Sequence, residues 1–306
     1  RGKPRKDSDK VPTTFNAYIR RLHQTHTQNK PQQGVTAMKL RQRRLLKIGS
    51  LNVRGLKESA KREQIIVHMQ RYGLDLLCLQ ETKVPHSSVE RRRGHSFVFS
   101  SSSQDGKEDW GVGMCYANKL EPYRVSYKQV SSTLMYVELG NQGHPLVIAS
   151  VHIPHDGVLG NVQQRRTEAW EEIQTLHDEL TNAKNLITCG DLNASIHARK
   201  DGEQAHVGPH VFGRGADFLR QKEANQPHNF VDNRQQLMNL LVAQDLLPMS
   251  TYFQKGSNRH KITYKAVHNT DRGPPWTPDR YAELDHCLVR RHWRNCIMDV
   301  TTDPCT

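Results

Sequence analysis

Apolar residues are scarce and irregular along the first 44 positions and become periodic from Leu45 onward. Residues 45–53 read as a strand closed by the turn Arg54-Gly55. Residues 58–72 set Ile65, Ile66 and Met69 on one helical face, and Gly73 follows where a helix takes a left-handed terminator. Residues 75–80 are nearly all apolar, as expected of a strand buried on both faces. Five strand candidates crowd the middle third: residues 96–100, 111–117, 123–130, 133–140 and 145–153. Asn141-Gln142-Gly143 is a hairpin signal between the last two. Residues 161–182 predict a helix with Ala169, Trp170, Ile173, Leu176 and Leu180 as its core stripe, and residues 185–189 another buried strand. A long polar loop, a helix over 234–244 and short strands at 262–265, 283–290 and 296–301 complete the pattern. Strands in runs, mixed with helices, predict an α/β fold in which two packed β-sheets are flanked by helices.

Composition changes this picture at one end. Only 35% of the 306 residues are hydrophobic, and the formal charge is +13. Residues 1–47 hold 13 of the 44 Lys and Arg against Asp7 and Asp9, so almost all the basic excess lies there. Residues 1–44 are therefore expected to be a disordered basic arm preceding a single domain over 45–306. Lys39, Arg41, Arg43, Arg44 and Lys47 form a cluster able to bind phosphates by counterion release, or simply a solvated linker. Because the chain starts at Arg1 rather than Met, it is expected to be a fragment; it has no signal-peptide core. No run approaches the roughly 18 apolar residues of a membrane span. The six cysteines form no CxxC pair, and Cys78, Cys115, Cys189 and Cys287 lie in apolar runs, which predicts buried thiols in a reducing compartment.

The chemistry concentrates where polar residues end apolar strands. Ser50-Leu51-Asn52-Val53-Arg54-Gly55, Leu79-Gln80-Glu81-Thr82, Cys189-Gly190-Asp191-Leu192-Asn193 and Glu283-Leu284-Asp285-His286 each do so. Singly, each has an ordinary reading as a surface carboxylate or an Asx-type turn. Jointly they offer three carboxylates and two amides to one site. That inventory suits Mg²⁺, which takes one or two carboxylates with water and substrate phosphate. The matching chemistry is phosphodiester hydrolysis.

These motifs together resemble the endonuclease/exonuclease/phosphatase superfamily, in particular the apurinic/apyrimidinic-like endonuclease domains of non-LTR (long interspersed element) retrotransposons. Further marks are Trp110-Gly111-Val112-Gly113, Thr251-Tyr252-Phe253 with Thr263-Tyr264, residues 233–237, and residues 288–294. The resemblance implies a four-layered α/β sandwich like that of deoxyribonucleases and apurinic endonucleases. It implies a Mg²⁺-dependent (or Mn²⁺-dependent) endonuclease that nicks DNA for a retrotransposon, or a host gene derived from one. A reverse transcriptase domain in a full-length polyprotein and a nuclear or cytoplasmic, non-membrane, non-secreted location follow. By match, Glu81 is the principal metal ligand, Asn52 positions the metal or the phosphate, and Asp285 lies near the metal or is oriented to a catalytic His. Asp191 handles the attacking water and Asn193 the scissile phosphate. His152 takes a position where relatives often carry a Tyr touching the phosphate; an imidazolium there is one reading and a satisfied strand-end histidine the other. Arg54 stands where repair enzymes often have Asp, and its guanidinium is expected to hold DNA phosphate or be solvated. Trp276 and Tyr264, with Arg259 and Lys261, are candidates to grip a nucleotide, with Trp276 equally read as a loop anchor against the core. Arg91-Arg92-Arg93 reads first as a solvated charge run and second as a track for the DNA backbone. The family closes with a Ser-Asp-His-type motif that this chain lacks, so the domain is expected to be truncated and its activity compromised. Two other readings stay open: a non-catalytic nucleic-acid-binding remnant, and a phosphoesterase of the same fold acting on an inositol phosphate or phospholipid head group.

Overall fold

The computed structural model describes residues 13–19, 45–101, 110–123, 125–140, 145–156, 161–180, 185–227, 230–265 and 273–304. In chain order the elements are β1 (Thr13–Ile19), β2 (Leu46–Asn52), α1 (Ser59–Tyr72), β3 (Leu76–Gln80), β4 (Ser88–Arg92), β5 (His95–Ser100), β6 (Val112–Ala117), β7 (Ser126–Gln129), β8 (Leu134–Leu139) and β9 (Leu146–His152). There follow α2 (Asn161–Leu180), β10 (Asn185–Asp191), α3 (Ala216–Ala224), α4 (Asn233–Ala243), β11 (Leu246–Pro248), β12 (Tyr264–Lys265), β13 (Tyr281–Ala282), β14 (Asp285–Arg290) and β15 (Ile297–Pro304).

Two mixed sheets carry the fold. One has the order β15-β1-β2-β3-β6-β5-β4, the other β11-β14-β10-β9-β8-β7, and β12 and β13 pair apart. Within them β2 runs parallel to β3 and β9 parallel to β10, while the remaining pairs are antiparallel. The all-apolar strands face a partner on both sides. Ile48, Leu76, Met114, Val137, Ile148, Ile187 and Val289 fill the space between the sheets. Leu77, Leu79, Phe97 and Phe99 pack outward on Ile65, Ile66 and Met69 of α1. Val147, Val151 and Leu186 pack outward on Trp170 and Ile173 of α2 and Leu237 and Leu241 of α4. Helix, sheet, sheet, helix is the four-layered α/β sandwich that the sequence resemblance implies.

Local signals explain the element ends. Gly73 terminates α1 at φ 62°, its N–H returning to Gln70 O. Asp232 caps α4 by accepting from Gln235 N–H at 2.8 Å. The four strand cysteines are buried thiols. Among the described residues no helix is long and apolar enough to cross a membrane.

Three elements depart from the sequence reading. Thr13–Ile19, inside the stretch expected to be a disordered arm, is a strand seated between β15 and β2. Its Phe15, Ala17 and Ile19 alternate with Thr14, Asn16 and Tyr18, a period-two pattern hidden by its polar flanks. The remainder of 1–44, with the basic cluster up to Arg44, lies outside the described residues, as do the Asn141-Gln142-Gly143 turn and Cys305. The arginine run, read as a solvated charge run or a track for DNA, is largely strand β4, paired with β5. The long polar loop after β10 contains α3, which buries only Leu219.

Candidate active site

The first site residues emerge where β2 and β3 end side by side. Their parallel register sets Asn52 against Gln80, so Asn52 and Glu81 leave the same edge of one sheet. In the other sheet the registers put Asp191 opposite His152 on one side and opposite Asp285 on the other. Gly190 makes this possible: a Cβ there would fall 1.9 Å from Val151 O, so β10 can lie against β9 at this point only without a side chain.

The strand ends then turn sharply. Arg54, Glu81, Lys83 and Asn193 all adopt positive φ, at 48°, 51°, 53° and 46°. Left-handed backbone in non-glycine residues costs on the order of 1 kcal/mol or more each and collects at sites that need it. The turns are held by Gly55 N–H to Glu81 O (2.7 Å), Leu56 N–H to Thr82 O (2.7 Å) and Lys83 N–H to Trp110 O (3.0 Å).

Across the gap between the sheets, the Asn52 amide donates to Glu81 Oε1 at 2.7 Å and to Asp191 Oδ2 at 3.0 Å. Its own oxygen accepts from Arg54 N–H at 3.3 Å. Asp191 Oδ1 accepts from Asn193 N–H (3.0 Å), and the Asn193 side-chain amide donates to Ile153 O (2.7 Å). Lys83 stands 3.8 Å from Glu81. It is a residue that motif reading missed, although it follows Gln80-Glu81-Thr82 directly. Thr263 Oγ1 accepts from the N–H groups of both Leu284 (2.7 Å) and Asp285 (3.1 Å), fixing the entry to β14 beside Tyr264.

The electrostatics are those of crowded, buried acids. Burial pushes the Asp285 carboxyl well above the usual carboxylate range, Asp191 adds to this, and Arg54 opposes it. Burial likewise raises Asp191, against the pull of His152 and Asn52. Asp285 Oδ1 and Arg54 Nη1 are both buried with no hydrogen-bond partner among the described residues. His152 is lowered by burial, with Asp191 and Glu81 pulling back. It packs edge-on to Trp110 at 5.2 Å. Burial therefore favours a neutral ring over the imidazolium that one sequence reading raised. His286 is also held neutral by burial, at about 4.

Asn52, Glu81, Asp191, Asn193, His152 and Asp285 are thus brought together, with Arg54 behind them. Trp276 has its ring 5.2 Å from Tyr281, on a small cluster with Phe212 and Ile262. Lys261 is buried, its ammonium donating to His210 O and Ser250 O. Among the described residues no group of three or more His, Cys, Asp or Glu side chains is arranged to hold a metal ion. An open hard-cation site does not need one, because water and phosphate supply most ligands. The unpartnered oxygen of Asp285, close to Asp191, is the kind of atom a cation satisfies.

Residues 49–305 match the family model described as the endonuclease/exonuclease/phosphatase family. The chain belongs to that family. A DNA-(apurinic or apyrimidinic site) endonuclease of Dictyostelium discoideum is 26% identical over 162 residues, covering 49% of this chain and 42% of that protein. The chain thus spans well under half the length of this curated relative. Among solved structures, an AP endonuclease from Archaeoglobus fulgidus superposes with a TM-score of 0.53 at 16% identity, over 82% of this chain and 88% of that one. A variant of the 3′ phosphatase NExo from Neisseria, bound to a product DNA hairpin, gives 0.52 at 14% identity, over 82% and 95%. The endonuclease domain of TRAS1, a telomere-specific non-LTR retrotransposon, gives 0.44 at 10% identity, over 81% and 94%, too low to argue from. The Archaeoglobus and Neisseria likenesses show the fold alone.

Proposed function

We propose that this family member is a Mg²⁺-dependent phosphodiesterase that nicks DNA, as the endonuclease part of a non-LTR retrotransposon or of a host gene derived from one. The observation that carries the reading is the Asn52 bridge, in which one amide joins a carboxylate from each sheet. With Asp285 nearby, these buried acids resist ionising together, and an incoming phosphate would only add to the repulsion, so the donor set calls for a hard cation. Glu81 would hold Mg²⁺ (or Mn²⁺), with Asn52 and Asp285 alongside. Bound there, the ion polarises the phosphoryl group and screens its charge.

The protein's own groups do the rest. Asp191, fixed through both oxygens by Asn52 and Asn193, takes the proton of the attacking water. Asn193 spends one amide hydrogen on Ile153 O and offers the other to a phosphate oxygen. Neutral His152 lies beside Asp191 with its Nδ1 unpartnered among the described residues, and would donate a ring N–H to a phosphate oxygen. Arg54 carries a buried nitrogen in want of an acceptor, which suits it to a backbone phosphate. Tyr264 and Trp276 supply ring surface for a nucleotide.

DNA is favoured over a small phosphate ester by the relative that acts on apurinic or apyrimidinic DNA, by the neighbour bound to a DNA hairpin, and by the basic excess of residues 1–47. The retrotransposon assignment rests on the sequence marks, and with it go a reverse transcriptase partner and nuclear residence. The experiment is conversion of supercoiled plasmid to open circles with Mg²⁺ and with EDTA, beside phosphate release from inositol phosphates. Nicking in Mg²⁺ alone supports the reading. Phosphate release without nicking, or salt-sensitive DNA binding with neither activity, replaces it.

A further inference from the structure

Residues 193–198, the loop that carries Asn193 away from β10, make few backbone hydrogen bonds. Ala198 N–H returns to Ile196 O (2.7 Å) and Gly215 N–H reaches His197 O (3.2 Å). The loop is held instead by buried side chains from other elements. Asn233 Nδ2 donates to Asn193 O at 3.3 Å, and His286 Nε2–H donates to Ala194 O at 2.7 Å. Arg234 donates to Ile196 O at 2.9 Å and to Ala198 O at 3.1 Å. A carbonyl only accepts, so His286 is the tautomer with its hydrogen on Nε2.

Two of the three donors are themselves pinned by side chains, while His286 is set by its place in β14, its Nδ1 buried without a partner among the described residues. Asn233 Oδ1 accepts from Trp170 Nε1 (2.9 Å), and its amide also donates to Pro154 O (2.8 Å), in the chain that follows His152 and Ile153. Arg234 pairs with Glu203 at 2.9 Å. Asn233, Arg234 and His286 are all buried, where polar groups cost free energy unless every donor is satisfied. A loop needed only to connect β10 to α3 could close with apolar contacts. This one fixes the carbonyl of the left-handed Asn193 and those of Ala194, Ile196 and Ala198 just after it.

We propose that His286, Asn233 and Arg234 are positioning residues that hold Asn193 in its left-handed turn, with its free amide hydrogen directed at the substrate. This rests on the phosphodiesterase reading, in which Asn193 touches the phosphate. Outer partners of this kind change activity by about 10- to 100-fold when removed.

The test uses the full chain and two substitutions at one position. His286→Phe keeps the ring volume and removes the donor, whereas His286→Gln keeps an N–H. In plasmid nicking, His286→Phe is expected to lower kcat about 10- to 100-fold with KM within about two-fold, and His286→Gln to recover most of it. In an Asn193→Ala background, His286→Phe should cost less than about two-fold more, because its effect runs through Asn193. Multiplying losses, or unchanged kcat in His286→Phe, overturn the proposal. The three-bond HN–Hα coupling of Asn193 reads φ by NMR without any activity. It should change in His286→Phe and be kept in His286→Gln; an identical coupling in all three proteins overturns the proposal. A shifted coupling in a chain that never cleaves DNA sinks the phosphodiesterase reading and leaves the positioning role standing. Asn233→Asp, which keeps the acceptor for Trp170 and loses both donors, repeats both measurements should His286→Phe fail to fold.

Discussion

At the scale of single residues, Glu283 shows how near the site comes to instability. It is buried two positions before Asp285, and burial pushes its carboxyl to about 7, with the Lys261 ammonium pulling the other way. A carboxyl raised in the folded state favours folding less as it ionises. The loss begins above the ordinary value of 4.5, where the unfolded chain releases its proton, and is complete above about 7. The shift corresponds to about 3 kcal/mol. Glu283→Gln should therefore gain on the wild type as pH rises from 4.5 to 8, measured by urea unfolding; a pH-independent difference would contradict this. The residues that touch the proposed chemistry were legible in the sequence because each is a polar group ending an apolar run. The close strand approach that Gly190 permits was not legible, because it depends on how β9 lies against β10. Nor were Asn233 and His286, since nothing in a linear pattern says which buried carbonyl a side chain will meet. The neutral state of His152 likewise depends on burial that only the folded chain defines.

Among the elements, the strong periods were read correctly. Ile65, Ile66 and Met69 face the sheet as their spacing predicted, and α2 buries Ala169, Trp170, Ile173, Leu176 and Leu180. Weakly patterned elements escaped. β4 is nearly all polar, and its burial alternates without an apolar face. As an edge strand of charged residues it resists pairing with other chains. Its arginines are engaged with carboxylates: Arg91 with Glu121 at 3.7 Å, Arg92 with Glu90 and with Glu63 at 3.4 Å, and, just beyond the strand, Arg93 with Glu63 at 3.4 Å. Exposed pairs of this kind contribute little stability. Arg91→Ala and Arg93→Ala together should leave DNA affinity within about two-fold and unfolding free energy within about 0.5 kcal/mol. A steep loss of affinity with a shallower salt dependence would show that β4 meets the DNA backbone after all.

For the molecule as a whole, the two sheets matter as a device for convergence. β2 and β3 deliver Asn52 and Glu81 from one layer, and β9, β10 and β14 deliver His152, Asp191 and Asp285 from the other. Both layers are locked by an apolar interface running from Ile48 to Val289, and the Asn52 amide spans the two. The layered architecture was legible because strand runs buried on both faces require it. The meeting of four distant motifs depends on sheet order, which local pattern does not encode. The central claim is that this convergence makes a metal-assisted nuclease, and the most direct measurement is Mg²⁺-dependent nicking of supercoiled plasmid by the wild type, Glu81→Ala and Asp191→Ala at matched folded concentration. The account predicts nicking by the wild type, abolished by EDTA and lowered at least about 100-fold in each variant, with DNA binding retained. A wild type that binds DNA and never nicks it, or variants that nick as well as the wild type, would contradict the account.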